Sequence, residues 1–237
     1  MEKKIPIGLR FSLLNRSFRK KMDAMLSEKE LTGVIVFTHR LNAYWPNGND
    51  PRGMDESRIP LCSSMDGKIG VNNATGEVVP CESCPFNEYG SGVRDDGTAA
   101  RGKACKNMRR VYMVMDGDPN YYLLTVPPTS IKDVNKALQK IIASRSTYTS
   151  QVVTLKLIKQ QSRDGKDYSK VVLTKAGPLP PAAAIAAKEI RAEIKRQYKT
   201  MTITLGDYYQ DKPQAATPAT PAGAFVDVTD DDPLPFD

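Results

Sequence analysis

Histidine is nearly absent: His39 is the only one in 237 residues. That excludes a multi-histidine metal site and most catalysis that relies on an imidazole base. Tryptophan is also single, at position 45. No run of about 18 uncharged apolar residues occurs, so the sequence offers no membrane-spanning helix. The opening residues, Met1 to Ile7, lack the apolar stretch of a secretory signal, and a cytoplasmic location is the expectation. Four cysteines are too few to staple a chain of this length with disulfides. They suit an intracellular metal site better.

Apolar residues make up 40% of the chain and charged residues 26%, as in ordinary globular proteins. The length allows one sizeable domain or two small ones. Charge is distributed unevenly. The formal net charge is +7, but residues 207–237 hold seven acids and one base, a net of −6. Residues 1–206 therefore carry +13. A strongly basic body faces a polyanion, either nucleic acid or an acidic membrane surface. An acidic tail can compete for that surface or address another partner.

Residues 8–30 place Leu14, Phe18, Met22, Met25 and Leu26 at helical spacing with Arg16, Arg19, Lys20 and Lys21 between them. Such a segment is a surface helix or a phosphate-contacting arm. The β-branched run Thr32 to Thr38 predicts a strand, and His39 to Asn49 a loop carrying Trp45. Residues 50–106 are rich in Gly, Pro, Asn, Asp and Ser and need something to tie them down. Arg109 to Met115 and Tyr121 to Val126 predict a hairpin across the turn Asp116 to Asn120. A helix is expected from Ile131 to about Ser144, capped by Ser130 with Asp133 in its first turn. Thr147 to Gln160 alternates, with Val153, Leu155 and Leu157 on one face, and Tyr168 to Lys175 pairs back on it. Pro180-Pro181 opens a helix over about 181–199 with Ile190, Ile194 and Tyr198 inward. Thr202 to Leu205 is a short last strand or the exit from that helix. Beyond Gly206, Pro, Ala, Thr, Gln and Asp dominate, the composition of a disordered linker.

Cys62, Cys81, Cys84 and Cys105 leave gaps of 18, two and 20 residues. The C-x-x-C pair brings two thiolates within tetrahedral reach of one Zn²⁺, and the flanking cysteines complete four ligands. Four thiolates close the coordination sphere, so the expected zinc is structural rather than catalytic. The competing readings are a Cys81/Cys84 redox pair and free buried thiols.

Bases and rings interleave around the last cysteine. Lys103, Lys106, Arg109 and Arg110 lead into Tyr112, with Tyr121 and Tyr122 on the facing strand and Tyr44 and Trp45 earlier. Cations that track phosphates and rings that stack on unpaired bases are what single-strand binding requires. Alternatively these rings are core and the charges merely solvated. Asp95, Asp96, Asp116 and Asp118 could hold Mg²⁺ in a nuclease, but they stand in turn sequences first.

The chain ends Asp230-Asp231-Asp232-Pro233-Leu234-Pro235-Phe236-Asp237. This resembles the C-terminal tip of bacterial and phage single-stranded DNA-binding proteins, where acids followed by an apolar residue, Pro and Phe recruit replication and repair enzymes. Here Pro233 is an additional residue, and Asp237 follows the phenylalanine. The resemblance implies that Asp230, Asp231, Asp232, Pro235 and Phe236 form a partner-binding tip. It also implies a non-enzymatic protein that coats single-stranded DNA, free or as an oligomer, with no membrane partner, in a host cytoplasm if phage-encoded. The cysteine segment looks like that of uncharacterised phage proteins. A zinc module joined to an acidic tail is similar in plan to a known phage single-strand binder with a different ligand set.

The expected architecture is α+β, mainly β. An OB-like barrel is elaborated by a zinc-binding loop and two or three helices. Residues 1–206 form the binding body, including a four-cysteine zinc subdomain at 50–110, and 207–237 a disordered acidic tail. The alternative function is a zinc-stabilised factor reading duplex DNA in transcription or recombination, with a Mg²⁺-dependent nuclease behind it.

Overall fold

The structure, a computed structural model, describes residues 30–46, 58–94, 97–115, 121–161, 165 and 167–205. The amphipathic segment ahead of Glu30, the four aspartates at 95, 96, 116 and 118, and the acidic tail lie outside these residues.

The organising element is β1, Glu30–Tyr44. Its apolar and β-branched run predicts a strand, and the strand continues through the stretch expected to be a loop. His39 to Tyr44 still alternate, with Leu41 and Ala43 buried and Arg40 exposed. Trp45 follows as a core residue rather than a loop residue. A register shift between Ile35 and Phe37 marks a bulge, which re-aims the residues beyond it. Gly33 is required on this strand, because a Cβ there would run into the carbonyl oxygen of Val114.

After β1 come three short strands: β2 (Cys62–Ser64), β3 (Ile69–Asn72) and β4 (Val78–Pro80). A two-stranded ribbon follows, β5 (Gly92–Val93) and β6 (Ala99–Ala100). Then come β7 (Lys106–Val114), β8 (Tyr121–Val126), helix α1 (Pro128–Ala143), the hairpin β9 (Gln151–Gln161) and β10 (Asp167–Pro178), and helix α2 (Pro181–Gln197).

Eight strands form one antiparallel sheet. Val34 pairs with both Val152 of β9 and Val114 of β7. Asn42 pairs with both Ser64 of β2 and Asn107 of β7. So β9 and β2 share one edge of β1 at its two ends, and β7 runs along the other edge. The sheet therefore branches, with β4, β8 and β10 each paired on one side only among the described residues. The expected barrel is not closed. Closure needs the terminal strands to meet at a consistent tilt, and here the central strand divides one edge between two partners instead. The class, α+β and mainly β, is as expected.

Each helix covers one face. Val111 and Met113 of β7 join Leu31, Ile35, Val153, Leu155, Val171 and Leu173 under Val134, Leu138 and Ile141 of α1. Tyr112, between them in sequence, points the opposite way and meets Val34, Val36, Phe37 and the α2 residues Ala187 and Ile194. The two-residue period of the strands thus feeds two cores. A third cluster, Leu41, Ala43, Trp45, Met108, Ile203 and Leu205, continues the α2 side. Thr202 to Leu205 is not a strand but the exit from the helix, pinned where Leu205 N–H donates to the Arg58 carbonyl at 2.8 Å. Helix α1 begins earlier than Ser130 would have capped it, at the Pro127-Pro128 pair. Ser130 is instead buried, and its Oγ accepts the Val171 N–H at 2.9 Å. No described helix is long and apolar enough to cross a membrane.

Candidate metal centre and nucleic-acid interface

The cysteines come from four separate points that the short strands bring together. Cys62 opens β2, paired between Tyr44 and Asn72. Cys81 directly follows β4, its N–H donating to the Lys68 carbonyl at 2.7 Å. Cys84 precedes a single 3-10 turn at Pro85–Asn87. Cys105 leads into β7, and its N–H donates to the Phe86 carbonyl at 2.8 Å. All four side chains line one cavity, together with Tyr44, Phe86 and Asn87 among others. They form no disulfide. Gly70 lies beneath two of them: a Cβ there would sit 2.9 Å from Cys62 Sγ and 3.6 Å from Cys81 Sγ. A glycine is needed for both thiols to lean over the same point.

Burial first, and then Cys81, Cys84 and Cys62 as neighbours, push the Cys105 thiol up to about 12. Burial, then Cys81 and Cys84, likewise raise Cys62. Cys81 and Cys84 thus act as charge neighbours of both Cys62 and Cys105. As the side chains stand, the described residues contain no group of three or more His, Cys, Asp or Glu arranged to hold a metal ion. The donor set is sulfur only. Tyr44 and Phe86 stack beside the cavity at 4.2 Å between ring centroids and 15° between planes.

A chain of amides leaves this cavity along the sheet. Asn87 Nδ2 donates to the Cys81 carbonyl at 2.7 Å. Asn107 Nδ2 lies 2.9 Å from Asn87 Oδ1 and 2.8 Å from Asn42 Oδ1. Asn42 and Asn107 are cross-strand partners, and two residues further along the same face stand Arg40 and Arg109, also partners. Like charges directly opposite one another destabilise a sheet. Arg109 donates from Nη1 to Thr38 Oγ1 at 3.0 Å. Its Nε is buried with no hydrogen-bond partner among the described residues. Burial, and then Arg40, hold its pKa below the usual guanidinium range. Tyr148, which accepts from Arg191 on α2, stands close enough to oppose that shift.

The other residues expected to contact nucleic acid scatter. Trp45, Tyr112 and Tyr122 are buried. A ring with no open face cannot stack on a base. Arg110 is 1% exposed and donates from Nη2 to the Thr202 carbonyl at 2.9 Å. Tyr121 is half-buried, and burial, then Tyr112 and Glu193, push its hydroxyl up to about 12. Lys106 is half-buried with Nζ on the Lys103 carbonyl at 3.1 Å, and burial lowers its pKa. Lys103 donates to Asn87 Oδ1 at 3.2 Å, and Tyr44 is engaged with Phe86. The cause is alternation: Lys106, Arg110 and Tyr112 face one side of β7 and Arg109 the other. Of the expected set, Lys103 is bonded to the amide chain, Tyr44 lines the cavity it leaves, and Arg109 stands two residues along the strand from Asn107.

Arg40, Asn42, Asn87 and Asn107 escaped the sequence reading. The alternation Thr38, Arg40, Asn42, Tyr44 was the available signal for the first two. Nothing in the sequence marked Asn87. Compared with protein families and with curated proteins, the chain matches none.

Proposed function

We propose that the protein binds single-stranded nucleic acid, with DNA as the substrate suggested by its acidic tip, and that binding rather than catalysis is its role. The observation that carries this reading is the Arg40–Arg109 pair. Arg40 and Arg109 stand opposite each other on neighbouring strands, and neither forms an ion pair with a carboxylate among the described residues. Such an arrangement costs stability in the free protein, and a phosphate anion removes the cost. Asn42 and Asn107 continue the face with groups that hydrogen-bond but carry no charge, and residues 1–206 carry a net charge of +13 in sequence.

Cys62, Cys81, Cys84 and Cys105 are proposed to hold a structural Zn²⁺. Four thiols that line one cavity, a glycine beneath two of them and no carboxylate or imidazole among the residues lining it fit that ion by donor chemistry. When bound, the ion holds together a loop that has little core of its own. Asp230, Asp231, Asp232, Pro235 and Phe236 are proposed to recruit replication and recombination proteins, as their resemblance suggests.

The test is equilibrium binding of a labelled deoxythymidine oligomer across a salt series, with a duplex of equal length as competitor. Wild type is expected to prefer the single strand and to lose affinity as salt rises. Arg40→Gln with Arg109→Gln should flatten the log–log salt slope by roughly 1.4, two contacts at about 0.7 each. Absence of single-strand binding at low salt would falsify the reading.

A further inference from the structure

The rings expected to stack on bases are largely inside, yet one ring outside the expected set is open. Tyr89 is 83% exposed, the most exposed large hydrophobic side chain among those described. It sits on the loop between Cys84 and Cys105, three residues past the Tyr44–Phe86 stack. An exposed tyrosine alone is unremarkable. Its support is what sets it apart.

The loop is clamped on both sides. Asn87 N–H donates to the Cys84 carbonyl at 2.9 Å. Ser91 Oγ lies 3.0 Å from the Phe86 carbonyl and 2.7 Å from the Glu88 carbonyl, between which its one O–H is shared, and accepts the Ala104 N–H at 3.0 Å. Gly92 N–H donates to the Gly102 carbonyl at 2.9 Å. A Cβ at Gly92 would approach that same oxygen to 2.9 Å, so the two chain segments meet at bare backbone. Lys103 Nζ stands 5.0 Å from the Tyr89 ring centroid, over one face, and is itself held by Asn87 Oδ1. A cation on one face of the ring leaves the opposite face to solvent.

We propose that Tyr89, backed by Lys103, is a base-stacking station carried on the cysteine loop. The inference rests on the single-strand reading above and deepens it. A large ring with only two side-chain torsions, carried on a loop held from both sides, loses little conformational entropy when a flat partner covers it. Any unpaired base offers such a face, so the station is indifferent to sequence. Lys103 touches Asn87, Asn87 touches Asn107, and Asn107 lies beside Arg109 on the strand. One strand could thus place a base on Tyr89 and phosphates on the arginine pair.

The experiment compares wild type, Tyr89→Ala and Tyr89→Phe, as full chains. Each is titrated with a deoxythymidine oligomer and with an abasic oligomer of the same phosphate count. Tyr89→Ala should bind the thymidine oligomer roughly tenfold more weakly, with the salt slope unchanged. Tyr89→Phe should retain wild-type affinity, and all three should bind the abasic oligomer equally. If wild type binds the thymidine oligomer and Tyr89→Ala matches it, the station is wrong while single-strand binding stands. Equal losses in the Phe and Ala variants would also overturn it, because the ring would then not be the reason. If wild type binds neither oligomer at low salt, the underlying reading fails with it.

Discussion

The two ends of the sheet are held together by different means. The helix-covered end buries a continuous apolar interior: Leu31, Ile35, Val111, Val153 and Leu173 beneath α1, and Val34, Val36 and Tyr112 beneath α2. The cysteine end has almost none. Its strands are three or four residues long, and Ile69, Val71 and Val78 are exposed, the last at 63%. Among its cysteines, Cys81 and Cys105 are buried. What organises it is a set of short polar links, such as Asp66 accepting from Lys68 and Ile69 and Asn73 donating to the Pro60 carbonyl. Links of that kind contribute about 1 kcal/mol each at best, and less when water competes. The contrast is why a bound metal is proposed for one end and is unnecessary at the other.

Removing metal is the strongest way to break the contrast. Structural zinc contributes on the order of 10 kcal/mol in small metal-dependent modules. A chelator under reducing conditions, or Cys84→Ser, should lower amide-exchange protection in β3 and β4 by at least roughly a hundredfold. Protection in β9 and β10 should change little. Uniform loss through both ends, or no loss at all, would show that the ends do not differ in this way. Metal analysis of the untreated protein tests whether zinc is bound and at what stoichiometry, and a value near zero would remove the proposed ion.

The converse perturbation is smaller. Leu138 of α1 is buried among Val134, Ile141 and the sheet. Leu138→Ala should cost about 3 kcal/mol by removing apolar contact and leaving a cavity. Thermal melting should fall while bound metal stays the same. Metal lost together with the melting temperature would mean that one cooperative unit holds both ends.

The smallest expected effect concerns the seam between them. His39 on β1 has Nδ1 2.8 Å from the Met65 carbonyl and 2.9 Å from the Arg40 carbonyl, and Nε2 3.2 Å from the Tyr112 hydroxyl. Two carbonyls at Nδ1 require the proton there and leave Nε2 as acceptor in the neutral ring. Burial first lowers its pKa from 6.5, and the nearby Arg110 and Arg109 charges add to the lowering against the two carbonyl bonds. The unfolded chain therefore takes up this proton first as pH falls. His39 contributes stability above about pH 6.5 that is lost progressively as pH drops from there toward the folded-state value. Melting curves between pH 7.5 and 5.5 should show that decline, flattened in His39→Gln. An identical slope in the variant would assign the decline to other groups.

Much of the helix-covered end was legible because its patterns are long. The alternation of Val153, Leu155 and Leu157 and the helical stripe Ile131, Val134, Leu138, Ile141 and Ile142 each run through several periods, and local pattern agrees with tertiary burial except at Ile142, which is 57% exposed. The second half of β1 was not legible as a strand. Pro46, Gly48 and Asn49 carry turn composition, and the loop expectation extends back from them over His39 to Tyr44, where the two-residue period holds. The four cysteines could be grouped from spacing alone, since few arrangements serve a C-x-x-C pair with two flanking thiols. Which rings face water could not. Tyr121 and Tyr122 are adjacent in sequence and point into different cores, and Tyr89 lies where no period operates. The barrel expectation comes from the single-strand-binding reading, whereas closure depends on edge pairing, which a single sequence does not display.

A strand that serves β9 at its start and β2 at its finish also works as a ruler. From Val34 to Tyr44 it sets a separation of roughly 30 Å at about 3.3 Å per residue. It sets orientation too, because a slip of one residue would turn Tyr44, Asn42 and Arg40 to the opposite side while their partners stayed in place. The bulge near Val36 takes up the one extra residue the chain has to spare. A surface loop can take in a residue at little entropic cost. This segment cannot, and the gap between the apolar interior and the cysteine cavity is therefore a fixed dimension of the protein.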